Sequence, residues 1–219
     1  MRLVNREEEL VFIESGKVRL EGALSVPKGA AGIVLFAHGS GSSRHSPRNN
    51  FVAQVLRKAG LATLLMDLLT REEDIEYQTR FDIGLLVKRL VSATNWLLEE
   101  EPTKGLNIGY FGASTGAAAA LAASVQMGPK IGAVVSRGGR VDLARESLPK
   151  VKAPTLLIVG ERDEVVLELN RESYKLMKAE KEIRTIPGAT HLFEEPGTLE
   201  EVARCAADWF RKHLGAPKA

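Results

Sequence analysis

The chain has 219 residues, 44% of them hydrophobic, with 30 Lys and Arg against 28 Asp and Glu. That is enough apolar material for a packed core, which excludes global disorder. The formal net charge is +2, no Lys/Arg cluster is interleaved with aromatics, and no run of ~18 apolar residues occurs, so nucleic-acid binding and a membrane-spanning helix are both excluded as expectations.

The single cysteine, Cys205, rules out an internal disulfide. Residues Met1–Glu9 show neither an apolar stretch nor a small-residue cleavage site, so the chain reads as cytoplasmic. Residues 11–15 and 17–26 flank Gly16 and predict an antiparallel hairpin. From residue 32 short apolar runs, at 32–37, 61–66, 106–111, 131–135, 155–159 and 181–186, alternate with longer amphipathic segments. Near-continuous apolar runs suit strands buried on both faces of a parallel sheet. The segments 49–59, 80–100, 115–127, 165–179 and 198–214 read as helices. In the second of these Phe81, Leu85, Leu86, Leu90, Trp96 and Leu97 share one face at helical spacing. The charge run from Arg71 to Glu76 reads as a solvated loop. Alternating strand and helix predicts an α/β fold with a mostly parallel sheet of about eight strands, covered by helices on both sides. No composition shift or linker marks a boundary, so one domain over residues 1–219 is expected.

Gly112-Ala113-Ser114-Thr115-Gly116 is a G-x-S-x-G motif, entered by an apolar strand and left by an Ala-rich helix, the strand–turn–helix setting of a nucleophile elbow. Such a turn is too tight for side chains at its glycines, and its strained backbone lifts the serine oxygen above the sheet. A serine hydroxyl needs a base. Of the four histidines, His213 falls in the last helical turn and reads as a surface residue, and His45 precedes the nucleophile. His38 reads as a hydrogen-bonding scaffold. His191 lies in the loop after the last strand and fits the order Ser, Asp, His. Asp163, in Gly160-Glu161-Arg162-Asp163-Glu164, is the acid that orients it. A carboxylate at that place is otherwise read as a helix N-cap. The glycine-rich loop His38-Gly39-Ser40-Gly41 supplies one oxyanion donor, the N–H of Ser40 with Gly41 as alternative, and Thr115 supplies the other.

These ordered motifs, His38-Gly39, Gly112 to Gly116, Gly160 with Asp163, and His191, resemble the α/β-hydrolase superfamily over roughly residues 17–214. Small size and the lack of an inserted cap resemble the dienelactone hydrolase-like group within it. True dienelactone hydrolases carry cysteine where this chain has Ser114, so the resemblance implies a serine esterase mechanism. It implies hydrolysis of small carboxylic esters through an acyl-enzyme. No cluster of His, Cys or carboxylates has metal-ligand spacing, so no metal is expected, and no cofactor is expected either.

Three rivals weigh less. Gly39-x-Gly41 after a strand, with Asp67 ending the next, suggests a dinucleotide site, but the third glycine position is Arg44 and the loop runs on through Pro47. Ser147-Leu148-Pro149-Lys150 matches S-x-x-K, but Pro149 opposes the helix that motif needs. A non-catalytic binding module on the same fold would normally lack a member of the triad. Cys205 reads as a core residue beside Val202, Trp209 and Phe210. Finally, Arg137, in Ser136-Arg137-Gly138-Gly139-Arg140, and Arg44 are expected at the mouth of the site. There an arginine can clamp an anionic substrate group, the bland alternative being a pairing with nearby carboxylates or solvent.

Overall fold

The computed structural model describes residues 8–215; residues 1–7, most of the stretch read above for a signal, and 216–219 lie outside the described residues. The strands are β1 (Glu9–Ser15), β2 (Val18–Ser25), β3 (Ile33–Ala37), β4 (Ala62–Met66), β5 (Ile108–Ala113), β6 (Ile131–Arg137), β7 (Thr155–Gly160) and β8 (Lys181–Ile186). The helices are α1 (Pro47–Lys58), α2 (Arg71–Ile75), α3 (Ile83–Glu99), α4 (Thr115–Met127), α5 (Glu164–Leu176) and α6 (Thr198–Leu214). All eight strands form one sheet in the order β1-β2-β4-β3-β5-β6-β7-β8. β1 and β2 pair antiparallel, β2 meets β4 antiparallel, and the rest run parallel.

Burial follows the sheet. β3, β4, β5 and β7 are buried at every residue, because helices cover both faces. One apolar cluster joins the sheet to α3, α4 and β1; the other joins its opposite face to α1 and α6. In α4, Ala117 to Ala120 are all fully buried, and small side chains let this helix lie close to the sheet below and to α3 above. β1 alternates as a half-covered strand does: Val11 and Ile13 face the core, Leu10 and Phe12 face outward.

Two expectations need correction. β8 is not buried on both faces. It is the sheet edge, only Ile186 is buried, and Arg184 pairs with Glu182 on its surface. The charge run at 71–76 is not a loop but contains α2. Thr70 caps it: its hydroxyl accepts from the Glu73 N–H at 3.2 Å, while Glu73 accepts from the Thr70 N–H at 3.0 Å. This reciprocal box satisfies two orphan donors at the helix start. Among the described residues no helix is long and apolar enough to cross a membrane.

Candidate active site

Ser114 joins β5 to α4 with φ 50° and ψ −122°, outside the regions open to ordinary L-residues. Its surroundings impose this conformation. The Ser114 N–H donates to the Arg137 carbonyl (3.3 Å), and the Ser114 carbonyl accepts from Ala117 (3.1 Å) and Arg140 (3.0 Å). Both motif glycines are sterically required. A Cβ on Gly112 would lie 2.4 Å from the Ala117 Cα, and one on Gly116 would lie 2.2 Å from the Ala37 carbonyl oxygen. The chain therefore turns from sheet to helix in one residue, which projects Ser114 over the strand ends.

His191 Nδ1 lies 2.6 Å from Asp163 Oδ2, and the Asp163 side chain is only 13% exposed. Asp163 occupies the N-cap position of α5, yet its side chain makes no capping bond. An acid there for the helix alone would accept from the orphan N–H groups; this one faces the imidazole. With the carboxylate accepting from Nδ1–H, Nε2 is left as the basic nitrogen. The loop that carries His191 is braced. Gly188 donates to Glu161 Oε2 (2.8 Å), Thr190 donates to Glu195 Oε2 (3.1 Å), and Arg162 donates to the Ala189 carbonyl (2.9 Å). Phe193 holds a φ of 55° because its side chain is buried in the α1/α6 core. Gly138, one residue beyond β6, lies against His191: a Cβ there would stand 3.4 Å from its ring. The Ser114 elbow and His191 are thus both placed at the end of β6.

The glycine-rich loop after β3 lies against the Ser114 turn. Gly39 approaches Ser114 so closely that a Cβ on it would stand 3.0 Å from Ser114 Cβ. Ser40 and Thr115, 75 positions apart, are in contact, but the Ser40 N–H donates to Thr115 Oγ1 at 2.9 Å. Gly41 adopts φ 66°.

Of the remaining histidines, His38 is buried, with Nδ1 against the Gly39 carbonyl (2.9 Å) and Nε2 accepting from the Leu68 N–H (2.9 Å). It ties the loop after β3 to the end of β4. Desolvation pushes its pKa below the ordinary histidine range, against smaller upward influences from the Gly39 carbonyl and Asp67. A pKa depressed in the folded state gives a stability contribution that is complete above the unfolded value, about 6.5, and is lost as pH falls below it. The Tm is therefore expected to fall on acidification from pH 7.5 to 5.5, and less steeply in His38→Gln. Parallel Tm profiles for the two proteins would contradict this. His213, read as a surface residue, is in fact mostly covered: its ring packs 4.6 Å from Trp209 and its side chain is 10% exposed. Burial lowers its pKa too, so it adds to the acid sensitivity of wild type and variant alike. Cys205 is half-buried at the edge of the core, where desolvation raises its thiol pKa. His45 stays in its exposed loop.

The two arginines part company. Arg44 is not free to clamp a substrate. Its guanidinium bridges Asp67 Oδ2 and Glu21 Oε2, the latter at 2.5 Å, and its N–H donates to Asp67 Oδ1 at 2.7 Å. The expectation of a substrate contact is corrected to a structural staple between the loop after β3, the middle of β2 and the end of β4. The same bridge engages the Asp67 carboxylate that a dinucleotide ribose would need. Arg137 is the last residue of β6, where it pairs with Ala113 and Ile158, and is not in the loop beyond.

A profile described as the dienelactone hydrolase family matches residues 20–215. A crystal structure of a dienelactone hydrolase from Anabaena variabilis shares 56% identity with a TM-score of 0.92, covering 95% of this chain and 98% of that one. Est1E from Butyrivibrio proteoclasticus shares the fold at a TM-score of 0.81 and 16% identity, covering 94% of this chain and 99% of that one. A curated Mycobacterium tuberculosis protein named "Putative phosphoribosyl transferase" is 57% identical over 212 residues, 97% of this chain but 48% of that protein. The chain thus spans about half the length of the curated relatives it matches.

Proposed function

Because the chain belongs to the dienelactone hydrolase family, we propose that it is a serine hydrolase that cleaves small carboxylic esters through an acyl-enzyme. The observation that carries this reading is the strained Ser114 elbow beside a base whose other nitrogen is held by Asp163. Ser114 Oγ attacks the ester carbonyl carbon while His191 Nε2 takes its proton. The tetrahedral oxyanion rests on the N–H groups of Ser40 and Thr115. The alcohol leaves with the proton from His191, and water then releases the acid by the same route. Asp163 holds the imidazole in the tautomer that leaves Nε2 basic and stabilises the imidazolium. A screen of p-nitrophenyl esters of graded acyl length, combined with a serine-directed phosphonate, tests the reading. Turnover and mass-spectrometric labelling of Ser114 are expected. A label confined to another residue, or no turnover of any ester, would sink it.

For the Ser40 N–H to meet the oxyanion, the Thr115 hydroxyl has to turn away from it. Thr115→Val removes the hydroxyl and keeps both N–H donors, so kcat is expected to stay within about tenfold of wild type. A loss of about 10²–10³, the size of one missing oxyanion donor, would make the hydroxyl itself the donor.

A further inference from the structure

The face that α5 buries carries Val166, Leu167, Asn170 and Ser173. Val166 and Leu167 pack with Val159 of β7, as a helix laid on a sheet requires. Asn170 is fully buried beside them. Its amide nitrogen donates to the Gly139 carbonyl and to the Val166 carbonyl, each at 2.8 Å. Both partners are carbonyl oxygens, so the nitrogen end of the amide must face them. Its Oδ1 is buried with no partner among the described residues. A buried acceptor left unpaired costs free energy that an apolar side chain of similar size would not. The bond to Val166 lies within the helix. The bond to Gly139 is the one that ties α5 to another part of the chain.

What Gly139 touches gives that bond its weight. Gly139 is the middle of three consecutive residues set between the Ser114 turn and His191. Before it, Gly138 lies against His191: a Cβ there would stand 3.4 Å from the ring and 3.3 Å from the His191 carbonyl oxygen. After it, the Arg140 N–H donates to the Ser114 carbonyl at 3.0 Å. Gly139 itself is pressed onto the first turn of α4, where a Cβ on it would stand 2.6 Å from the Ala117 Cβ. Asn170 therefore holds the centre of a segment with His191 on one side and the Ser114 backbone on the other. Asp163, the N-cap residue of α5, stands about two helical turns away. One helix thus carries both the carboxylate bonded to His191 and the amide bonded to the segment beside it.

We infer that Asn170 is a positioning residue for the Ser114–His191 pair: its amide fixes residues 138–140 between them and so sets the imidazole against the serine oxygen. The consequence for turnover rests on the hydrolase reading; the placement of His191 does not. Asn170 acts through residues 138–140, because its own side-chain bonds go to Gly139 and Val166. A misplacement of about 1 Å between reacting groups costs on the order of 10²-fold in rate, so a bond remote from the chemistry is visible in kcat.

The test compares wild type with Asn170→Leu, which keeps the volume and removes the donor. Asn170→Ser, whose shorter side chain stops short of Gly139, serves should the leucine variant not fold. The ester is the p-nitrophenyl ester that wild type turns over fastest. Its kcat is divided by the fraction of Ser114 that a phosphonate labels at completion, which counts folded sites. The ring ¹H–¹⁵N signals of His191 are followed in ¹⁵N-histidine protein, assigned by their absence from His191→Gln. In the variant, kcat per labelled site is expected to fall about 10²-fold, with KM within about threefold of wild type and the His191 signals displaced. A lower Tm with kcat per labelled site within about twofold of wild type would make Asn170 a packing residue. That result overturns the inference and leaves the hydrolase reading intact. If wild type cleaves no ester and takes no label at Ser114, the hydrolase reading fails and the His191 signals decide alone. Displaced signals then support the positioning role, and unmoved signals overturn it.

Discussion

Ser114→Ala is expected to lower kcat/KM for any ester the protein cleaves by at least about 10⁴-fold, leaving a residual rate from binding and the oxyanion donors. The size follows from what the residue does. In the proposed mechanism it supplies the atom that forms the acyl-enzyme, and neither neighbour in the elbow can substitute, since Ala113 has no nucleophile and the Thr115 hydroxyl is turned toward the Ser40 N–H. The fold should tolerate the change. Ser114 holds its backbone through its own N–H and carbonyl, bonded to Arg137, Ala117 and Arg140, and not through its side chain. Some strain at φ 50° is kept, since alanine disfavours that region as serine does. The decisive comparison is therefore activity against Tm. Loss of activity with a Tm within a few degrees of wild type places the effect in chemistry. Full activity in Ser114→Ala would remove the nucleophile from this site altogether.

The elbow was legible because its chemistry and its sterics coincide in five consecutive residues. Gly112 and Gly116 leave no room for a Cβ, and that requirement is written directly into the sequence. Asp163 and His191 were legible by order, each standing just past a strand that hydrophobic runs had located. Other features were hidden for definite reasons. The polar β8 sits at a sheet edge, and an apolar-run argument cannot tell an edge from an interior strand. α2 is marked by Thr70 and Glu73 at capping-box spacing, a signal that charge content alone does not show. The fate of Arg44 depends on Glu21 and Asp67, which reach it only because β2 and β4 are neighbours in the sheet. Strand order, which the alternation of elements leaves open, decides such encounters.

Asp163→Asn is expected to lower kcat by about 10⁴-fold, close to the effect of losing the nucleophile, although in the proposed mechanism Asp163 acts only through His191. The carboxylate can only accept, so the His191 nitrogen at 2.6 Å from it must carry the proton and Nε2 must be the base. An asparagine can turn its NH₂ toward Nδ1 and donate. The imidazole then holds its proton on Nε2, and the basic lone pair faces the wrong way. Even with the favourable amide orientation, the neutral side chain no longer stabilises the imidazolium that forms when Ser114 is deprotonated. The structure limits compensation. Asp163 is mostly buried, and the neighbouring Glu161 is already engaged by the Gly188 N–H. Because the Asp163 side chain does not cap α5, its loss should not unravel that helix, and the Tm is expected to change little. The measurement pairs kcat with phosphonate labelling. Slow labelling of an intact Ser114 is the signature of a misoriented base. An Asp163→Asn protein that labels and turns over at the wild-type rate would move the orienting role to another carboxylate.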